Sequence, residues 1–126
     1  MLRILVIEDS PVDMAMNVAV LERAGHVVLQ ADRALPGIEL ARSERPNLIL
    51  MDLQLPDLDG RLATRMLKAD LRTAHIPLVA LTAFAMKGDA EESRRAGFDG
   101  YLTKPIRYNE LTAELRKVMR RRTDMA

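Results

Sequence analysis

Several short apolar runs in the chain close on a polar group: "RILVIE" and the following aspartate on Glu8 and Asp9, "NLILMD" on Asp52, "PLVALT" on Thr82 and "GYLTK" on Lys104. An apolar run that ends on a carboxylate raises the question of what the acid does there. If the three acids meet, they repel: two unit charges about 5 Å apart at an effective dielectric near 20 cost roughly 3 kcal/mol. A hard divalent cation with oxygen ligands offsets that cost, and Mg²⁺ commonly takes one or two carboxylates, several waters and a phosphate oxygen. Lys104 is a flexible point charge suited to a phosphate oxygen, and Thr82 offers a small hydroxyl. A shielded carboxylate, a cation, a lysine and a hydroxyl together describe phosphoryl transfer to Asp52, by positioning and charge neutralisation.

Those residues must be brought together by the elements that carry them. Five apolar, β-branched-rich stretches begin at Arg3, His26, Asn47, Pro77 and Gly100 and read as strands. The first, third and fourth are almost continuously apolar, as parallel strands are when helices cover both faces. Helical segments lie between them. Ser10 is placed to cap the N–H of Asp13 with Pro11 in the first helical position, and Gly25 ends that helix. Pro36, the "LDGR" at 58–61 and Lys87 to Asp89 mark later helix starts, and Gly97 a helix stop. In the last helix Leu111, Leu115, Val118 and Met119 share one face. Five βα units favour an α/β fold: a doubly wound five-stranded parallel sheet, helices on both faces, in the flavodoxin-like strand order 2-1-3-4-5. In such a sheet a ligand sits beyond the carboxyl ends of the strands, where the strand order reverses. The polar strand ends would meet there.

Length and composition narrow the classes. The 126 residues suit one domain spanning 1–126 with no effector domain, and 48% apolar with 29% charged content suits a soluble globular chain. No apolar run approaches the roughly 18 residues of a membrane span, and no secretory signal opens the sequence, so a cytoplasmic protein is expected. There is no cysteine, hence no disulfide or thiolate metal site, and the two histidines, His26 and His75, stand far apart. A net charge of +1 gives no overall bias toward nucleic acid, and the basic run at 116–122 reads as a solvated helix end.

The motifs "IED", "MDLQLPDLDG", "LTA" and "YLTKP" stand in order, with Asp9, Asp52, Thr82 and Lys104 separated by 43, 30 and 22 residues. In this the chain resembles, over essentially its whole length, the receiver domain of two-component response regulators. The resemblance implies that Asp52 is the phosphoacceptor, Asp9 a direct Mg²⁺ ligand and Glu8 a partner of metal-bound water, with the backbone carbonyl of Gln54 completing the metal set. It implies that Thr82 and the backbone N–H of Ala83 bind the phosphoryl oxygens, that Lys104 pairs with the group, that the Lys104–Pro105 bond is cis, and that Tyr101 is a rotamer switch. Gln54 and Phe84, two residues beyond Asp52 and Thr82, are candidates for setting the acyl-phosphate lifetime. Phe84, Met86, Tyr101 and Tyr108 are candidates for a partner surface. A narrower resemblance, carried by "HIPLVALTAFAMKGD" and "LILMDLQLPDLDG", is to stand-alone DivK-type cell-division receivers. The partners implied are a histidine kinase or histidine phosphotransfer protein and downstream protein targets, with no nucleic acid or membrane, for a monomer or weak dimer.

Each motif has a plainer reading. Glu8 and Asp9 could be solvated carboxylates leaving a strand, Asp52 a turn or helix cap, Lys104-Pro105 a loop pair, and Tyr101, Phe98 and the eight methionines core or half-buried fillers. The apolar run before Asp52 and the co-occurrence of all four motifs argue for the shared site. The rival functions are an aspartate-nucleophile phosphatase, an unphosphorylated scaffold receiver and a DNA-binding protein. Such phosphatases typically carry a second acid two residues after the nucleophile, where this chain has Gln54; scaffold receivers usually lack one of the acid, threonine or lysine positions. The chain is therefore expected to carry out its own phosphorylation and dephosphorylation without being a turnover enzyme.

Overall fold

The computed structural model describes residues 1–83 and 97–125. Five parallel strands form one sheet: β1 (Arg3–Ile7), β2 (Val27–Ala31), β3 (Leu48–Asp52), β4 (Leu78–Thr82) and β5 (Gly100–Thr103). Their spatial order is β2-β1-β3-β4-β5, as expected from the sequence. Four helices are described: α1 (Pro11–Arg23), α2 (Ala34–Glu44), α3 (Gly60–Ala69) and α4 (Tyr108–Met125). The helix start expected at Lys87 to Asp89 lies outside the described residues. No described helix is long and apolar enough to cross a membrane.

Side chains alternate across the sheet, so each strand feeds two cores. Leu5, Ile7, Ile49, Met51, Leu78 and Ala80 pack against α2 and α3 through Ile38, Ala41, Ala63 and Leu67. Ile4, Val6, Leu48, Leu50, Val79 and Leu81 pack against α1 and α4 through Met14, Leu21, Leu111, Leu115 and Val118. Every residue of β3 is buried, which is why "LILMD" reads as one continuous apolar run rather than an alternating one. The edge strand β2 has a mostly half-exposed pattern instead. The methionines divide: Met51 and Met14 are core, whereas Met16 is 45% exposed on α1.

The helix ends hold the site's loops. Ser10 Oγ accepts the N–H of Asp13 with Pro11 at the first helical position, as its sequence implies. Pro36 does not begin α2. The helix starts two residues earlier, at Ala34, because a carboxylate from elsewhere in the chain, Asp57, accepts the N–H groups of Ala34 and Leu35. Pro36 still falls in the first turn, where a missing donor removes no intrahelical bond. In "LDGR", Asp59 caps α3 by accepting the N–H of Arg61. Gly60 follows because a methyl group there would stand 2.9 Å from Leu53 Cα and 3.0 Å from Leu53 O, both backbone atoms.

Candidate functional site

The carboxyl ends of β1, β3, β4 and β5 converge as the strand order requires. Glu8 leaves β1 with its N–H bonded to Ala31 O, and Leu53 N–H donates to Leu81 O just beyond Asp52. Lys104 N–H donates to Thr82 O, so the lysine's backbone is tied to the end of β4. The Lys104–Pro105 bond is cis.

One ammonium organises the cluster. Lys104 Nζ stands 2.6 Å from Asp52 Oδ2, 2.7 and 2.8 Å from the two Glu8 oxygens, and 3.3 Å from Asp13 Oδ2. The Glu8 side chain is wholly buried and that of Asp52 is 7% exposed. Burial pushes the Glu8 carboxyl up to about 8; the adjacent Asp52 adds to the shift and Lys104 opposes it. Burial also works against the charge on Lys104, but its bonds to Asp52 and Glu8 prevail and hold the ammonium above the usual lysine range. Lys104 thus places a positive charge among these buried acids.

Asp52 is oriented as well as neutralised. Its Oδ1 accepts the N–H of Gln54 at 2.9 Å while Oδ2 faces Lys104, so the two oxygens have separate partners. Carboxylate oxygens of Glu8, Asp9 and Asp52 lie within 4.8 Å of one another, and Asp9 is the exposed member. That is an all-oxygen, anionic donor set of the kind a hard divalent cation takes, so these residues fit Mg²⁺. Beside Glu8 and Asp9 opens a groove of about 790 Å³ with Pro11 and Met14 on one wall and Pro36 and Leu40 on the other.

The remaining expected residues fall at the same edge. Thr82 pairs in register with Thr103, and Tyr101 with Ala80 two residues back on the same strands. The alternation of a strand therefore puts Thr82 and Tyr101 on one sheet face. Tyr101 packs, half-buried, on the core beneath α2 and α3. Gln54 and Ala83 are exposed at the mouth. Tyr108 begins α4 shortly after Lys104, and its ring lies under the Arg23 guanidinium at 4.9 Å. Phe84 and Met86 lie outside the described residues.

Sequence reading missed two acids. Asp13 looks like an ordinary first-turn carboxylate favourable to the helix dipole, and nothing local signals that Lys104, 91 residues away, reaches it. Asp57 looks like a turn residue of "LPDLDG". Val12 and Met16, one turn apart on α1, are apolar yet 69% and 45% exposed.

The histidines play no part in the cluster. His26 accepts the N–H of Leu2 through Nδ1, with burial lowering its pKa, and His75 is exposed.

A five-stranded 2-1-3-4-5 sheet bearing an acid triad, a threonine and a cis-proline-flanked lysine at its carboxyl edge defines the receiver class. The model of the response regulator receiver domain matches residues 4–116, and the chain belongs to that family. Among curated relatives it is similar to the polar-differentiation response regulator DivK of Brucella anthropi, 42% identical over 103 residues covering 82% of this chain and 84% of that protein. The DivK of Brucella ovis is 41% identical over the same shares. Among solved structures, the receiver domain of the sensor histidine kinase PA1611 of Pseudomonas aeruginosa, described with a magnesium ion coordinated in its active-site cleft, is 37% identical, with a TM-score of 0.82 over 94% of this chain and 95% of that one. The chemotaxis regulator CheY4 of Vibrio cholerae shares the fold, with a TM-score of 0.86 over 94% and 98% at 24% identity.

Proposed function

We propose that this receiver accepts a phosphoryl group on Asp52 from the phosphohistidine of a histidine kinase or phosphotransfer protein and responds by changing its protein contacts. The observation that carries the reading is the state of Asp52: buried, held at Oδ1 by the Gln54 N–H and neutralised at Oδ2 by Lys104 Nζ. One carboxylate oxygen attacks phosphorus, the O–P bond forms, and the P–N bond breaks with the imidazole leaving and taking up a proton. Asp9, Asp52 and the Gln54 carbonyl would hold Mg²⁺, with Glu8 bonding its water. When bound, the ion supplies positive charge to the incoming phosphoryl oxygens. The magnesium described for the PA1611 receiver supports this set.

Lys104 must then exchange part of its hold on Asp52 for a phosphoryl oxygen, and Thr82 and the Ala83 N–H take the others. Because Thr82 and Tyr101 share a sheet face, a hydroxyl drawn toward the phosphoryl group vacates volume beside the ring. Tyr101 turns inward and remodels the surface formed by the helix expected to start at Lys87 to Asp89, β5 and α4. Kinship with the polar-differentiation regulators supports output in cell polarity or division. As Asp52 is both nucleophile and product, the chain modifies itself rather than turning over a substrate.

Intact mass after incubation with Mg²⁺ and a small phosphodonor tests the reading. The wild type gains one phosphate; Asp52→Asn, or excess chelator, prevents it. Gain of phosphate by Asp52→Asn, or turnover of small phosphate esters by the wild type, would refute it.

A further inference from the structure

Between β3 and α3 the chain makes a loop, residues 53–59, whose first part orients the nucleophile: Gln54 donates its N–H to Asp52 Oδ1 at 2.9 Å. The two ends of this loop are tied to each other, by Gly60 N–H to Leu53 O at 3.3 Å and by a bridge between Gln54 and Asp59. Its tip packs through Leu55 and Leu58 on the apolar core, contacts that resist separation but hardly fix register. The polar tie of the tip is Asp57. Its Oδ1 accepts the N–H of Ala34 at 2.8 Å and its Oδ2 that of Leu35 at 2.9 Å.

This is an unusual way to begin a helix. A helix is ordinarily capped by its own N-cap residue, but Arg33 makes no side-chain cap bond and the acid comes from 22 and 23 residues away. Both carboxylate oxygens are engaged, at a helix end whose dipole favours an anion. The cap of α2 and the placement of the nucleophile's loop are consequently one interaction.

We infer that Asp57 is a positioning residue for phosphoryl transfer, locking the loop against the first turn of α2 so that the Gln54 N–H holds the Asp52 carboxylate in its reactive orientation. The inference rests on the phosphoacceptor reading of Asp52 and adds to it a residue that touches neither donor nor acceptor. With Asp57 gone, Gln54 is retained by the loop's own ends and the apolar contacts of Leu55 and Leu58, and Asp52 Oδ1 gains freedom to rotate. Misplacement of a reacting group by about 1 Å costs up to about 100-fold in rate. Here Lys104 still restrains Oδ2, so a smaller loss, about tenfold, is expected.

The experiment compares wild type, Asp57→Asn, Asp57→Ala and, as a control for stability loss away from the site, Asp70→Ala. Asp70 binds Arg72 and Arg42 beyond the far end of α3. Two quantities are read: amide hydrogen exchange at Gln54, and the rate of phosphorylation by phosphoramidate across a Mg²⁺ titration. Asp57→Ala should exchange at Gln54 about tenfold faster and be phosphorylated about tenfold more slowly at saturating Mg²⁺. Asp57→Asn, with one acceptor oxygen, should fall between, and Asp70→Ala should match wild type in both. Wild-type values of either quantity in Asp57→Ala, or equal changes in Asp70→Ala, would overturn the inference. If wild type itself gains no phosphate, the phosphoacceptor reading falls and this proposal with it. Phosphorylation of wild type with an unaltered Asp57→Ala removes the proposal alone.

Discussion

Replacing Lys104 by methionine removes the ammonium from between Glu8 and Asp52 while keeping a stem of similar length. Nζ lies 2.6 to 2.8 Å from oxygens of both acids, and both carboxylates are buried. Removing one partner from a buried ion pair costs about 3–5 kcal/mol. A proton can relieve part of that, and the relief depends on pH in a definite direction. The Glu8 pKa is raised from an ordinary 4.5 to about 8, so the native state binds a proton that the unfolded chain releases between those values. That contribution to stability is complete below 4.5 and is lost as pH climbs through about 8. Lys104 lowers the Glu8 pKa, so its removal moves the native value higher still. The stability difference between wild type and Lys104→Met should therefore grow from pH 6 to pH 9, by up to about 1.4 kcal/mol, because above about 8 the wild-type Glu8 has released its proton while that of the variant is still held. Mg²⁺ should narrow it by restoring positive charge. Urea unfolding followed by far-UV circular dichroism suits the chain, which has no tryptophan. A difference that does not grow from pH 6 to pH 9, or that Mg²⁺ leaves unchanged, would refute the charge accounting.

Gly60→Ala should lower stability by about 1–3 kcal/mol, because the backbone of Leu53 blocks the added methyl; a wild-type urea midpoint would contradict it. Asp57 has a lowered pKa: burial would raise it, but the bonds from Leu35 and Ala34 outweigh that. Its stabilisation is present above the unfolded value of 3.8 and is lost as pH falls through the lower folded value, so Asp57→Asn should be less stable than wild type at pH 7 and approach it in acid. Thermal unfolding between pH 7 and pH 2 checks the convergence. Exchanging both Gln54 and Phe84 for small polar residues should change the spontaneous dephosphorylation rate, measured by the decay of phosphorylated mass; an unchanged rate would remove them as lifetime determinants.

The strand pattern, the 2-1-3-4-5 order and the convergence of Glu8, Asp9, Asp52, Thr82 and Lys104 were legible in the sequence. Buried parallel strands must be apolar along their length, so a polar residue closing such a run stands out, and a parallel sheet carries all such ends to one edge. Local chemistry likewise fixed the Ser10 cap and the α3 start, since both bonds join residues within a few positions. What no local pattern holds is the pairing of groups far apart in the chain. Tertiary packing put Lys104 among Glu8, Asp13 and Asp52, where its ammonium reaches all three carboxylates. It also began α2 two residues before Pro36, because the capping carboxylate of Asp57 arrives from the nucleophile's loop. Sequence determines which side chains are presented at an element's end; their partners depend on distances through space, which only the packed sheet and helices set.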